Sequence, residues 1–337
     1  MLKKFTIALM LAALLGMTGC SGASKKTPAA NQVPYPDSRY LTAEGTGQTE
    51  MEARRRALSA LSAIFESKVY SETTSLARSA IGPDNNEQFE KNVESKINII
   101  TSVQLKGAKI GKTWQNEGSD LFHAMAVIDR MKAGQGWAAE LETLDARAEA
   151  QLKTLEGTKG TFRRMVLLNR IFSLLLKKQA IESRLRVINY PARSTLNVNI
   201  QKITTELALL RSRLRFFVEF TGKKSRIATD RVSGALTKSG FLLGDTRDAA
   251  DALIIGEIET RPLELNNPGV KFVRAAAAVK IIETGTGSTF ASLNENIRKG
   301  HVDQGEAARR AVLQLLESLS MKLVSIIGAG EEIDPIK

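Results

Sequence analysis

The chain has 337 residues, 43% of them hydrophobic and 25% charged, and a formal net charge of +12. This is the composition of a globular protein rather than a disordered one, and the length allows two or more domains, each with its own core. One cysteine, Cys20, and two histidines, His123 and His301, exclude a disulfide framework and leave a structural zinc site without ligands.

Met1-Leu2-Lys3-Lys4 precedes an apolar run from Phe5 to Met17, in which only Thr6 and Gly16 are not apolar. A positive start, a short apolar core and small residues before a cleavage point describe a secretory signal peptide. The run is short for a membrane span, and no later apolar stretch approaches the roughly 20 residues of a spanning helix. The ending Met17-Thr18-Gly19-Cys20 resembles the lipobox of bacterial lipoproteins. That resemblance implies that residues 1–19 are removed and that Cys20 becomes a lipidated N-terminus. Several acyl chains on one residue anchor stably, since each buried methylene contributes roughly 0.8 kcal/mol. Ser21, where Asp would signal retention, implies export to the outer membrane in the resembling Gram-negative lipoproteins, with the body facing the periplasm. Without Lys3 and Lys4 the chain keeps 46 basic against 36 acidic residues, a surplus of +10. Export makes nucleic acid an unsuitable partner, so the surplus points to an acidic protein, an anionic envelope polymer or lipid head groups.

Residues 20–38 are small, polar and proline-bearing, a tether that reaches on the order of 60 Å when extended. Residues 39–132 read as a first α/β domain. Tyr40–Gly45 is a strand ending in a Gly45-x-Gly47 turn, and Thr49 with Glu52 has the spacing of a capping box. In the following helix Met51, Ala53, Ala57, Leu58, Ala60, Leu61, Ile64 and Phe65 fill one half of the wheel, with the stem of Arg54 packed among them. Lys68–Ser75 is expected as a second strand and 86–94 as a short helix. Ile97–Trp114 and Leu121–Asp129 read as two further strands around the Asn116-Glu117-Gly118 turn.

Residues 133–210 change to helix. Trp137–Leu155 and Thr161–Val187 are joined through Gly157 and Gly160 as a helical hairpin, and Leu196–Leu210 follows. Residues 211–330 read as a second α/β domain: strand Arg213–Phe220, helix Ser225–Ser239, short strands at Phe241–Leu243 and Asp251–Ile258, a hairpin of Lys271–Glu283 with Thr289–Ile297, and a closing helix capped at Asp303 and stopped by Gly328. The expected fold class is α+β: two small α/β modules, with helices on mixed or antiparallel sheets, joined by the helical segment.

The search for chemistry finds no zinc-protease, nucleophile-elbow, phosphate-loop or dinucleotide motif. His123 sits in an apolar strand, His301 in a turn, and no serine has a convincing base beside it. The sequence therefore reads as a non-enzyme without metal or cofactor. The most distinctive local feature is the second long helix, where Arg163, Arg164, Arg170, Lys177 and Lys178 alternate with leucines and phenylalanines and Glu182 is the only acid. A basic, apolar helix docks on a partner protein or an anionic surface, or else packs inside a hairpin with its charged face in water.

Ala43-Glu44-Gly45-x-Gly47, Glu50-x-x-Ala53-x-x-x-Ala57, Ser71-Glu72-x-x-Ser75 and Phe122–Arg130 together resemble the bacterial lipoprotein-twenty (Lpp-twenty) family of outer-membrane lipoproteins. The same module is similar to the N-terminal domain of the flagellar assembly protein FlgT. The segment Asp251–Gly256 with the last helix resembles periplasmic modules of the FlgT, TolB and LpoB group. The resemblance implies a non-catalytic envelope protein that assembles or positions a complex by protein contacts, in flagellar or cell-wall processes. The excess charge supports a second expectation, a binder of an anionic envelope polymer or lipid surface.

Overall fold

A Cβ placed on Gly45 would lie 2.2 Å from the backbone nitrogen of Ala57, and one on Gly47 would lie 2.7 Å from that of Ala53. These two glycines are not a turn. They lie inside strand β1 (Tyr40–Gly47) and let helix α1 (Glu50–Ile81) rest directly on its backbone. The computed structural model describes residues 35–81, 87–101, 105–118, 120–191, 194–265 and 269–329. They form seven helices and eight strands in two sheets, an α+β architecture.

The first sheet is antiparallel in the order β1-β3-β2, with β2 spanning Lys109–Gln115 and β3 Phe122–Asp129. The expected capping box opens α1: Thr49 Oγ1 accepts from the Glu52 amide at 3.2 Å, and Glu52 accepts from the Gln48 amide at 3.0 Å. The expected strand at Lys68–Ser75 does not form, because α1 continues through it. Its buried residues, Ala53, Ala57, Leu61, Phe65, Val69, Thr73 and Ala77, recur every fourth position. Four residues advance about 40° beyond a full turn, so this stripe winds around the helix. Its first half faces β1 and β3, while Ala77 and Ile81 enter a second core. The apolar half of the wheel is correspondingly narrower than expected: Met51 is 79% exposed, and Arg54 pairs with Glu50 at 3.2 Å instead of packing. Helix α2 (Glu87–Thr101) occupies the start of the expected strand at Ile97.

Helix α3 (Arg130–Gly157) starts at once after β3. Its cap is Asp129, whose carboxylate accepts the Met131 and Lys132 amides at 3.1 Å each and pairs with Arg39. The Lys132 amide bond, ahead of the opposing effect of burial, holds the Asp129 carboxyl below its ordinary value. Helix α4 (Thr161–Val187) is the most buried element between the two sheets. Phe162, Met165, Leu168, Ile171, Phe172 and Leu176 enter the core of the second sheet, whereas Ile181 and Leu185 complete the core under the first. The helical segment is therefore a shared interior, with α5 (Ile200–Arg213) packed beside it.

The second sheet is mixed, in the order β5-β4-β6-β7-β8. β4 (Arg215–Thr221) pairs in parallel with β5 (Leu242–Leu243) and β6 (Ala252–Leu263), with α6 (Ser225–Lys238) as the crossover after β4. β7 (Lys271–Glu283) and β8 (Thr289–His301) continue as an antiparallel meander. Helix α7 (Gln304–Ala329) begins at the Asp303 cap and extends one residue past Gly328. By length and hydropathy α7 alone among the described residues qualifies as a membrane span. Its apolar residues lie against β7 and β8, with Leu315, Leu316, Leu319, Leu323 and Ile327 fully buried. It is a core helix.

Candidate interaction surfaces

Cys20, the expected lipidation residue, lies outside the described residues. The end of the tether is visible: Tyr35 donates its hydroxyl to the Gly111 carbonyl at 2.9 Å and packs edge-on against Tyr40 at 5.1 Å. A Cβ on Gly111 would collide with the Tyr35 ring at 2.7 Å, so the glycine makes the seat for this tyrosine.

The basic residues of α4 divide. Arg163 pairs with the buried Glu283, Arg164 with Glu206, and Lys178 with Glu182 at 2.9 Å, all within the fold. Arg170 is half-buried and Lys177 is exposed. The leucines and phenylalanines between them are core, so α4 presents no free apolar stripe. The apolar residues of α4 thus follow the packed-hairpin alternative, because the same side chains cannot serve the core and a partner. Other cations of α4 fasten neighbouring helices. Arg186 and Ser183 hold Glu72 of α1, and Arg184 donates to the Ile100 carbonyl at 3.0 Å. Burial pushes the Glu72 carboxyl up, but hydrogen bonds from Arg186, Ser183 and Lys68 outweigh it and set the group at about 2. Arg211, buried against the Phe241 ring, is lowered by desolvation to about 10.

The sheet faces offer what α4 does not. One face of the first sheet is covered by α1, and register assigns Thr46, His123 and Trp114 to one row of the other. His123 stacks on Trp114 with ring centroids 5.3 Å apart and planes 13° from parallel. Lys112 lies 5.1 Å above the same indole, and Met125 stands opposite Lys112 in register. Both rings are half-exposed. His123 Nε2 is 3.3 Å from the Asn116 amide nitrogen, so the histidine that the sequence places in an apolar strand faces outward in a polar and aromatic cluster. Sequence periodicity assigns alternate faces but does not indicate which face a helix covers.

Two acids at strand ends are structural: Asp129 caps α3, and Asp251 accepts the Arg215 amide at 2.8 Å. Among the described residues no group of three or more His, Cys, Asp or Glu is placed to hold a metal ion. A cleft of about 320 Å³ between α1 and α2 is lined by Thr74, Arg78, Glu90 and Glu94 among apolar residues, with no histidine or cysteine.

Residues 27–129 match the family model of the LPP20 lipoproteins, a stretch that runs from the tether to the end of β3. No curated protein matches the chain. Among solved structures, a secreted protein of Helicobacter pylori is 14% identical with a TM-score of 0.35, the match covering 83% of this chain and 98% of that one. A minor lipoprotein of Acinetobacter baumannii is 13% identical with a TM-score of 0.28, over 35% of this chain and 94% of that one. A lipoprotein of Neisseria meningitidis is 13% identical with a TM-score of 0.23, over 33% and 98%. Likenesses this loose carry no information about mechanism. The match makes the stretch 27–129 similar to the LPP20 lipoproteins, and the rest of the chain lies outside it.

Proposed function

We propose that this protein is a lipid-anchored adaptor or assembly factor on the periplasmic side of the outer membrane, acting through protein contacts and not by catalysis. The observation that carries the reading is the Trp114–His123 stack with Lys112 and Met125 on the open face of the first sheet. Half-exposed aromatics grouped with methionine and a cation have the composition of interface anchors, which bury large area with few rotamers lost. Among the described residues His123 contacts Asn116 and Asp129 caps α3, so both have structural neighbours. Tyr35 brings the tether onto the same face, so the lipid at Cys20 holds this surface near the membrane while leaving it open to a neighbour.

The test is a cross-linking pull-down from intact envelopes with wild type, Trp114→Ala and Lys112→Glu. Discrete partners are expected with wild type, retained at high ionic strength because apolar contacts are not screened. They should weaken at least tenfold with Trp114→Ala while the melting temperature stays within a few degrees. Recovery unchanged by Trp114→Ala, or lost entirely at high salt, contradicts docking at this face.

A further inference from the structure

The open face of the second sheet carries three arginines side by side. Arg261 of β6 is in direct register with Arg274 of β7, and Arg274 with Arg298 of β8. Opposed residues on antiparallel strands share a face, and adjacent strands lie about 5 Å apart, so three guanidinium groups lie along a row about 10 Å long. The inner face of these strands packs on α7, and the row is on the other face, where all three arginines are exposed. Like charges directly opposite each other on a sheet are destabilising. Nearby acid offsets only part of the row: Glu259, two residues before Arg261 on the same face, pairs with it at 2.8 Å. Among the described residues Arg274 and Arg298 make no ion pair, and Arg298 lies 5.9 Å from the centroid of the Phe272 ring.

Apolar groups stand at the same end of the sheet. Phe272 is next along the face from Arg274, and its ring covers Gly300, where a Cβ would be 2.6 Å from it. Val302, just past the end of β8, is 73% exposed, and Leu265, just past β6, is 43% exposed. Guanidinium groups bind phosphate through paired N–H donors, and exposed apolar residues beside basic ones enter the boundary between head groups and acyl chains. An acidic protein would satisfy the charges but would give no reason for Val302 to project into water beside them.

We infer that the arginine row Arg261–Arg274–Arg298, with Phe272 and Val302, is a docking surface for the phosphate-bearing head groups of an anionic membrane. It deepens the expectation drawn from the net charge and is independent of the protein contact assigned to Trp114. The lipid at Cys20 holds the chain to a bilayer, and this surface lays the second module against it.

The test uses residues 21–337, which begin after Cys20 and contain every described residue, so that no acyl chain contributes. They are sedimented with vesicles of phosphatidylcholine alone or mixed with phosphatidylglycerol. Wild type is expected to sediment with the mixed vesicles and not with phosphatidylcholine. The double variant Arg274→Glu/Arg298→Glu should lower the bound fraction about tenfold, given the contribution of each basic residue near an anionic surface. Arg274→Gln/Arg298→Gln should fall between the two, and Val302→Asp should weaken binding without touching the row. A control with Arg55→Glu, Lys132→Glu and Lys238→Glu removes more charge from exposed positions elsewhere and should stay within twofold of wild type. Circular dichroism establishes that each variant is folded. Equal losses in the control and the row variants overturn the site in favour of diffuse charge, and failure of wild type to bind the mixed vesicles overturns it outright.

Discussion

Arg163 at the start of α4 closes an ion pair with Glu283 at the end of β7, its Nε 3.2 Å from the carboxylate, while its own backbone N–H donates to the other carboxylate oxygen at 3.2 Å. The glutamate is buried and the arginine is 42% exposed. Gly160 gives the carboxylate room, since a Cβ there would lie 2.1 Å from it. A residue that resembles a docking cation in sequence thus pins the central helix to the second sheet.

The pair predicts an asymmetry. Arg163→Met leaves a buried carboxylate without its cation and should cost about 3 kcal/mol. Glu283→Gln frees a guanidinium that water can reach and should cost about 1 kcal/mol. Urea denaturation of both variants checks the order, and a greater loss from Glu283→Gln contradicts it.

Because α4 enters both cores, the two modules should unfold together. Leu168 is fully buried on the side of the second sheet and Leu185 on the side of the first. Leu168→Ala and Leu185→Ala should each cost about 3 kcal/mol and move one shared transition. Two separated transitions by circular dichroism and tryptophan fluorescence would contradict a common interior.

Glu72 gives a pH signature. Its carboxyl stands at about 2 in the fold against an ordinary 4.5, so its contribution is present above about pH 4.5 and is lost as pH falls towards 2. Wild type should exceed Glu72→Gln by about 2 kcal/mol at pH 7, allowing for solvent screening, and the gap should close by about pH 2. Paired denaturation curves across that range measure it, and a gap independent of pH contradicts the pairing with Arg186.

Much of the fold is legible in the sequence. The alternation in Lys271–Glu283 gives β7 with its observed bounds, and Asp303 with Glu306 marks the start of α7. The errors have a common physical origin. Val69, Tyr70, Thr73 and Thr74 favour strand locally, yet the fourfold stripe through Val69, Thr73 and Ala77 keeps α1 helical because tertiary burial outweighs propensity. In α4, charge and hydropathy along one helix do not distinguish a solvated basic face from cations paired to Glu283, Glu206 and Glu182 on other turns and elements. The Trp114–His123 stack and the arginine row arise from strand register, which composition does not contain.

Anchoring has its own expected outcome. Cys20→Ser removes the single thiol, so acyl-chain labelling with palmitate should vanish and the protein should appear unprocessed or soluble. Labelling that persists in this variant contradicts lipidation at Cys20.

The most direct measurement places a photoreactive amino acid at position 114 in one strain and at position 177 in another, followed by illumination of living cells. Trp114 lies on the open sheet face and Lys177 is the exposed cation of α4. The account predicts a discrete protein adduct from position 114 and none from position 177. An adduct from position 177 with none from position 114 would contradict it and move the contact to the helical segment.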